Sequence, residues 1–160
     1  MRVLSNGYTL RKVGLDCISS LANLHKSAFQ RGWGAHDFAL FLQDKHMRLT
    51  GAFPSKRHDP AGFLLLRVVA DEAEVISLAV SRRHRRKGLG AGLMDMAIDE
   101  LYDEGVKTLH LEVDEKNRAA VRLYEQLGFD IVGERKAYYP SDKGSAGNNA
   151  LIMQLAIADE

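Results

Sequence analysis

The chain has 160 residues, 46% of them apolar and 27% charged, with a net charge of +1. That size and balance predict one soluble domain with its own core and exclude a polycation or a disordered chain, so any basic chemistry has to be local. One cysteine, Cys17, excludes a disulfide framework and a cysteine metal site, and six histidines without paired spacing offer no metal site either.

The first residues carry Arg2, Ser5, Asn6 and Gly7 and lack the apolar core of a signal peptide. No apolar run reaches membrane length, so the compartment is expected to be cytoplasmic, without a membrane partner. Residues 8–13 alternate enough for a strand. Asp16 then stands as a helix N-cap, and Ile18, Leu21, Ala22, Leu24, His25 and Ala28 follow with helical spacing. Gly32-Trp33-Gly34 breaks that pattern. A short second helix is predicted over residues 37–44, with Phe38, Phe41 and Leu42 inward. Residues 47–53 read as a strand, and residues 54–60 as a loop. Residues 62–69 and 74–80 read as two strands joined near Asp71-Glu72, hence an antiparallel hairpin.

Next comes Arg85-Arg86-Lys87-Gly88-Leu89-Gly90, followed by Ala91-Gly92. Leu93, Met94, Ala97, Ile98 and Leu101 then share a helical face, which predicts a helix over residues 91–104 with Gly105 as its C-cap. Strand, basic glycine turn and helix are therefore consecutive. The N–H groups at a helix start have no partners inside the helix and sit at the positive end of its dipole. Glycines let that backbone approach a ligand, and three cationic side chains add to the field, a combination suited to a phosphate-bearing ligand. The dinucleotide fingerprint fails because Leu93 stands where its third glycine belongs, and the Walker pattern is absent. What stands is R-x-x-G-x-G, as Arg85, Gly88 and Gly90.

Thr108-Leu109-His110-Leu111-Glu112-Val113 alternates strictly, with the polar residues on one face. Asn117 can cap a helix that carries Ala120, Val121, Tyr124 and Leu127 inward and ends at Gly128. Residues 129–136 read as a strand, 138–149 as a loop and 151–157 as a last strand. The order β-α-α-β-β-β-α-β-α-β-β makes a mixed α/β sheet in a single domain over residues 1–160.

Taken together, the basic turn and the stretch that follows Val113 resemble one family. The R-x-x-G-x-G turn is similar to the acetyl-CoA pyrophosphate loop of the GNAT acetyltransferases. Asn117, Ala120, Leu123-Tyr124 and Gly128-Phe129 resemble that fold's N-x-x-A-x-x-L-Y-x-x-x-G-F signature, four residues after Val113. The resemblance implies an α/β GNAT fold with a mixed, mostly antiparallel central sheet flanked by helices. Within the superfamily the chain is most similar to the RimI family of ribosomal-protein-alanine N-acetyltransferases. The residues that carry this likeness are Arg86-Lys87-Gly88-Leu89-Gly90, Leu111-Glu112-Val113, Tyr124-Glu125-Gln126-Leu127-Gly128-Phe129, Arg135-Lys136-Ala137-Tyr138-Tyr139-Pro140 and Ala150-Leu151-Ile152-Met153. His25, Ala28, Phe29 and Trp33 resemble its early helical region. The loop after Pro140 is longer than that family's, and Asn148-Asn149 stands where acidic residues are expected.

The resemblance implies acetyl-CoA as co-substrate, held by Arg85, Arg86, Lys87, Gly88, Leu89, Gly90 and Ala91, with Asn117 and Tyr124 beside the cofactor arm. It implies that the backbone of Leu78, Ala79 and Val80 binds the pantetheine and polarises the thioester. Glu112 corresponds to the general base and Tyr124 to the acid that protonates the departing thiolate. Trp33, Tyr138 and Tyr139 are candidates for the acceptor groove, and no metal is implied. The implied acceptor is a protein or peptide N-terminus, of ribosomal-protein type.

Plainer roles stand beside each of these. Leu78, Ala79 and Val80 can be core strand residues, Glu112 a strand-edge carboxylate, Tyr124 a core aromatic, Asn117 a cap only, and Trp33 core. A small amine, an antibiotic or a lysine remains an alternative acceptor. Arg82-Arg83-His84-Arg85-Arg86-Lys87 also suits a nucleic-acid patch, which leaves Glu112, Asn117 and Tyr124 unexplained.

Overall fold

The computed structural model describes residues 1–29, 32–139 and 148–158, without the side chains of residues 137–139. The elements in chain order are β1 (Arg2–Val3), β2 (Thr9–Lys12), α1 (Ile18–Ala28), α2 (Ala35–Gln43), β3 (Met47–Phe53), β4 (Gly62–Val69), β5 (Glu72–Val80), α3 (Leu89–Asp103), β6 (Thr108–Asp114), α4 (Arg118–Gln126), β7 (Asp130–Tyr139) and β8 (Asn148–Ala156). The eight strands form one sheet in the order β1-β2-β3-β4-β5-β6-β8-β7. Every pairing is antiparallel except β5 with β6.

Strand alternation sends side chains to two separate cores. On one face Leu64, Leu66, Leu109, Leu111, Val113 and Met153 pack with Leu93, Met94 and Leu101 of α3 and Tyr124 of α4. On the other, Leu49, Phe63, Leu65 and Ala79 pack with Leu21 and Leu24 of α1 and Phe38 of α2. Both faces of the central strands are covered, which explains why β4 is almost uniformly apolar while β6 keeps a half-polar face.

The pairing of β5 with β6 lasts for only three residues, Glu72–Thr108, Ala73–Leu109 and Glu74–His110. Just beyond, β5 carries an extra residue. Leu65 pairs with Ser77 and Leu66 with Val75, so Ile76 is bulged. A bulge bends its strand and flips the side-chain alternation beyond it. Val75 accordingly belongs to the α3/α4 core and Ala79 to the α1/α2 core. The sheet therefore splits between the C-terminal halves of β5 and β6.

Several boundaries differ from the sequence expectation. Asp16 lies inside a 3-10 turn, Leu15–Cys17, and α1 has no side-chain cap. The second helix starts at Ala35, because the Asp37 carboxylate reaches back to accept from the Gly34 N–H at 2.9 Å. Tyr138 and Tyr139 extend β7, and Asn148 and Asn149 begin β8, where the sequence predicts one loop. The asparagines tie the strand ends together. Asn148 Nδ2 donates to Asp114 Oδ2 (3.1 Å) and Asn149 Nδ2 to Glu134 Oε1 (2.6 Å). Carboxamides donate where acidic residues would repel those carboxylates. Strand β1 escapes sequence reading, since two residues carry no periodicity. The expected loop over residues 140–147 lies outside the described residues.

Candidate active site

The basic turn sits at the end of β5, beside the split. Helix α3 begins at Leu89, two residues earlier than expected, so Leu89, Gly90 and Ala91 supply its first-turn N–H groups. That turn has neither an acidic residue nor a side-chain cap to satisfy them. Gly88 precedes it at φ +74°, and a Cβ placed there would meet nothing within 4 Å, so its backbone faces open space. Arg86 holds φ +62°, a conformation that costs a non-glycine residue strain.

Contacts from remote segments hold this turn. Asn6 Nδ2 donates to the Lys87 carbonyl at 2.9 Å, and the Tyr8 hydroxyl lies 2.7 Å from His84 Nδ1. Burial, together with the charges of Arg83, Lys87 and Arg57, keeps the His84 imidazole below its ordinary pKa. Arg85 Nε donates to the Val80 carbonyl at 3.2 Å. Arg82, Arg83, Arg86 and Lys87 are exposed, and the result is a cationic rim around the start of α3. Gly90 sits against Leu123 of α4 and Leu78 of β5, which brings both helices close to the split.

Leu78, Ala79 and Val80 lie along one side of the split, paired with Leu64, Phe63 and Gly62 of β4. The Ser81 N–H donates back to Ala61 at 2.8 Å. Backbone groups alternate sides along a strand. Ala79 is therefore spent on β4, whereas the backbone groups of Leu78 and Val80 turn toward the split. The Arg85 bond to the Val80 carbonyl fits this phase.

Glu112 lies across the split on β6, half-buried, on the face opposite Leu111 and Val113. Arg135 Nη2 of β7 pairs with its Oε1 at 2.8 Å, reaching across β8. Sequence reading quoted Arg135 only for the family likeness and did not pair it with Glu112. The pair needs the strand order β6-β8-β7, which no local pattern announces. His110 shares the Glu112 face, but its Nε2 lies 3.9 Å from Glu74 Oε2, so its ionic neighbour is on β5.

Tyr124 is 6% exposed and packs 5.6 Å, ring to ring, from Phe129. Asn117 caps α4, its Oδ1 accepting from the Ala120 N–H at 3.3 Å. Trp33 belongs to an aromatic stack on the Glu112 side of the sheet. Buried His25 lies between Trp33 (4.2 Å) and Phe29 (4.3 Å), and its Nδ1 accepts from the Trp33 backbone N–H at 2.9 Å. Burial lowers the His25 pKa, with Asp37 opposing, which favours the neutral ring this hydrogen bond requires. The side chains of Tyr138 and Tyr139 lie outside the described residues. Among the described residues no cluster of three metal-binding side chains occurs, and no helix is long and apolar enough to cross a membrane.

A split mixed sheet, with a cationic helix start at one side and a paired carboxylate across the gap, defines a class of domain that seats an extended phosphate-bearing ligand between two strands. The chain belongs to the Acetyltransferase (GNAT) family, whose model matches residues 18–129. Over 98 residues it is 45% identical to the ribosomal protein bS18-alanine N-acetyltransferase of Escherichia coli (strain K12), covering 61% of this chain and 65% of that relative. The Haemophilus influenzae protein of the same name is 40% identical over 92 residues, 58% of this chain and 62% of that one. The aligned stretch thus spans less than two thirds of these relatives' length. Among solved structures, the Escherichia coli ribosomal-protein-S18-alanine N-acetyltransferase superposes with a TM-score of 0.86 at 32% identity, covering 96% of each chain. Arabidopsis thaliana NAA60 in complex with acetyl-CoA shares the fold, at a TM-score of 0.83 and 16% identity, over 94% of this chain and 98% of that one.

Proposed function

We propose that this protein is a cytoplasmic N-acetyltransferase that moves the acetyl group of acetyl-CoA directly to a protein N-terminal α-amine, of the kind presented by a ribosomal protein beginning with alanine. The observation that carries the reading is the split between β5 and β6, with the basic turn at one side and Glu112 across from it. The similarity to bS18-alanine N-acetyltransferases supports the acceptor class.

The residues fit the co-substrate. The cationic rim, the uncapped N–H groups of α3 and the open Gly88 backbone suit a diphosphate. The backbone of Leu78 and Val80 offers strand-like hydrogen bonds to an extended amide arm and can polarise a carbonyl. Acetyl-CoA supplies the activated acyl group. Glu112, held by Arg135, accepts a proton from the acceptor amine. Tyr124 gives one to the leaving sulfur. An α-amine has a pKa of about 7.7–8.0 and is partly neutral near pH 7.5, whereas a lysine at about 10.4 is not. A single carboxylate base therefore suits an N-terminal acceptor.

The test is acetyl transfer from acetyl-CoA to a peptide with a free N-terminal alanine and one internal lysine, read by mass spectrometry beside its Nα-blocked twin. Acetylation confined to the free α-amine is the expected result. Modification of the blocked peptide moves the acceptor to lysine. No transfer to either peptide, and no binding at millimolar acetyl-CoA, overturns the reading.

A further inference from the structure

Ser77 stands apart from every other polar side chain described. It is 7% exposed, and its Oγ is the one buried side-chain polar atom among the described residues that lacks a hydrogen-bond partner. Leaving a hydroxyl buried and unpaired carries a cost, and alanine would fit a strand core without it. Such an exception in a well-satisfied interior points to a partner that arrives with solvent or substrate.

Its place in the fold says which. Ser77 immediately follows the bulged Ile76, at the point where β5 leaves β6. Counting on from the last pair, Glu74–His110, Ser77 is three residues along β5 and Glu112 two along β6, and the bulge absorbs the odd residue. Ser77 and Glu112 therefore stand level on the two strands that border the split. They also share a face. Leu78 and Val80 pack with Leu111 and Val113 in the α3/α4 core, so Ser77 and Ala79 turn to the other side with His110 and Glu112. Trp33 and the His25 stack line that same side.

Resting on the transferase reading above, we propose that the Ser77 hydroxyl is an acceptor-binding group. It accepts a hydrogen bond from one N–H of the incoming amine while Glu112 takes the other. Two acceptors on opposite sides of the split fix the rotation of the amine about its C–N bond and aim its lone pair along the split toward the thioester held against β5. Ser77 exchanges no proton. The proton lost by the amine goes to Glu112.

The bulge explains why the fold tolerates this arrangement. Without the extra residue the alternation would send Ser77 into the α3/α4 core, and a branched aliphatic would be the natural occupant. With it, a small hydroxyl lands on the α1/α2 side of the sheet, the side that Glu112 shares across the split.

The experiment compares wild type with Ser77→Ala and Ser77→Cys. It measures melting temperature, acetyl-CoA affinity by calorimetry, steady-state transfer to the free-N-terminal alanine peptide, and slow hydrolysis of acetyl-CoA without acceptor. The proposal expects Ser77→Ala to match or exceed the wild-type melting temperature, with unchanged acetyl-CoA affinity and unchanged hydrolysis. Its kcat/KM for the peptide falls about tenfold, the scale of one hydrogen bond lost at the transition state. Ser77→Cys, a weak acceptor of similar size, is expected to fall as far. A Ser77→Ala enzyme that is more stable and transfers at the wild-type rate overturns the proposal. So does a variant whose loss lies entirely in acetyl-CoA affinity. If wild type binds acetyl-CoA but acetylates no α-amine, the transferase reading fails and the assignment of Ser77 falls with it.

Discussion

The two sides of the split are built differently. The donor side, residues 78–91, is one unbroken stretch of strand end, turn and helix start. Its ligand groups are mostly backbone, and its cations are exposed side chains close in sequence. The side proposed to take the acceptor draws Trp33 from before α2, Ser77 from the bulge, Glu112 from β6 and Arg135 from β7. Its groups are side chains: Glu112 and Arg135 pair across β8, Trp33 stacks on His25, and Ser77 has no hydrogen-bond partner. A backbone site survives most substitutions that leave the chain path alone. A side-chain site fails one residue at a time. On the proposed reading the donor side is expected to set affinity, and the acceptor side rate and choice of amine.

The largest test of that division lies in the proton-transfer pair. Glu112→Gln and Tyr124→Phe are each expected to lower kcat by about a hundredfold or more, with acetyl-CoA affinity changed by less than about threefold, as for removal of a general base or acid. Single-turnover transfer and calorimetry on the same preparations separate the two effects. Equal losses in rate and affinity would erase the distinction between the sides.

The aromatic stack comes next. His25→Ala removes a buried ring lying between Phe29 and Trp33 and leaves the Trp33 N–H without its acceptor. The expected cost is about 2–3 kcal/mol in denaturant unfolding. The stack also carries a pH signature. The folded pKa of His25 lies below the ordinary 6.5, so its contribution is full above that value, where both states are neutral. As pH falls below about 6.5 the unfolded chain takes up a proton that the fold resists, and stability drops. His25→Ala should flatten that part of the stability–pH curve. An unchanged slope would mean that His84, lowered in the same direction, governs it.

The smallest effect belongs to the donor side. Gly88→Val imposes a β-branched side chain on a left-handed residue at φ +74°, worth about 1–2 kcal/mol of strain. Relaxing it tilts the start of α3. Acetyl-CoA affinity should weaken about tenfold, while kcat at saturation stays within about twofold. A loss confined to kcat would contradict an affinity role for this side.

How much could be read beforehand follows the same line. The turn at Arg85-Arg86-Lys87-Gly88, the cap at Asn117 and the inward Tyr124 all follow from spacings of a few residues, and the structure places each of these elements where the spacing puts it. Two features misled. Asp16 resembles an N-cap because its type suits one, yet the chain turns as a 3-10 segment there. Tyr138-Tyr139 and Asn148-Asn149 resemble loop residues because proline and glycines lie between them, yet cross-strand pairing continues from Tyr139 to Asn148. Arg135 showed no sign of its role, since its partner is 23 positions away across an intervening strand.

By itself the sequence determined the element order apart from β1, the glycine turn before an uncapped helix start, and the family. These depend on hydrogen bonds and side-chain periods that close within one or two turns of chain. Only the tertiary structure decided that β5 parts from β6 after Glu74, because a bulge shows only against a partner strand. It alone joined Glu112 to Arg135, braced His84 with Tyr8 and left Ser77 buried without a partner at the split. Those relations are set by the order of strands in the sheet, and that order comes from burying two apolar faces at once.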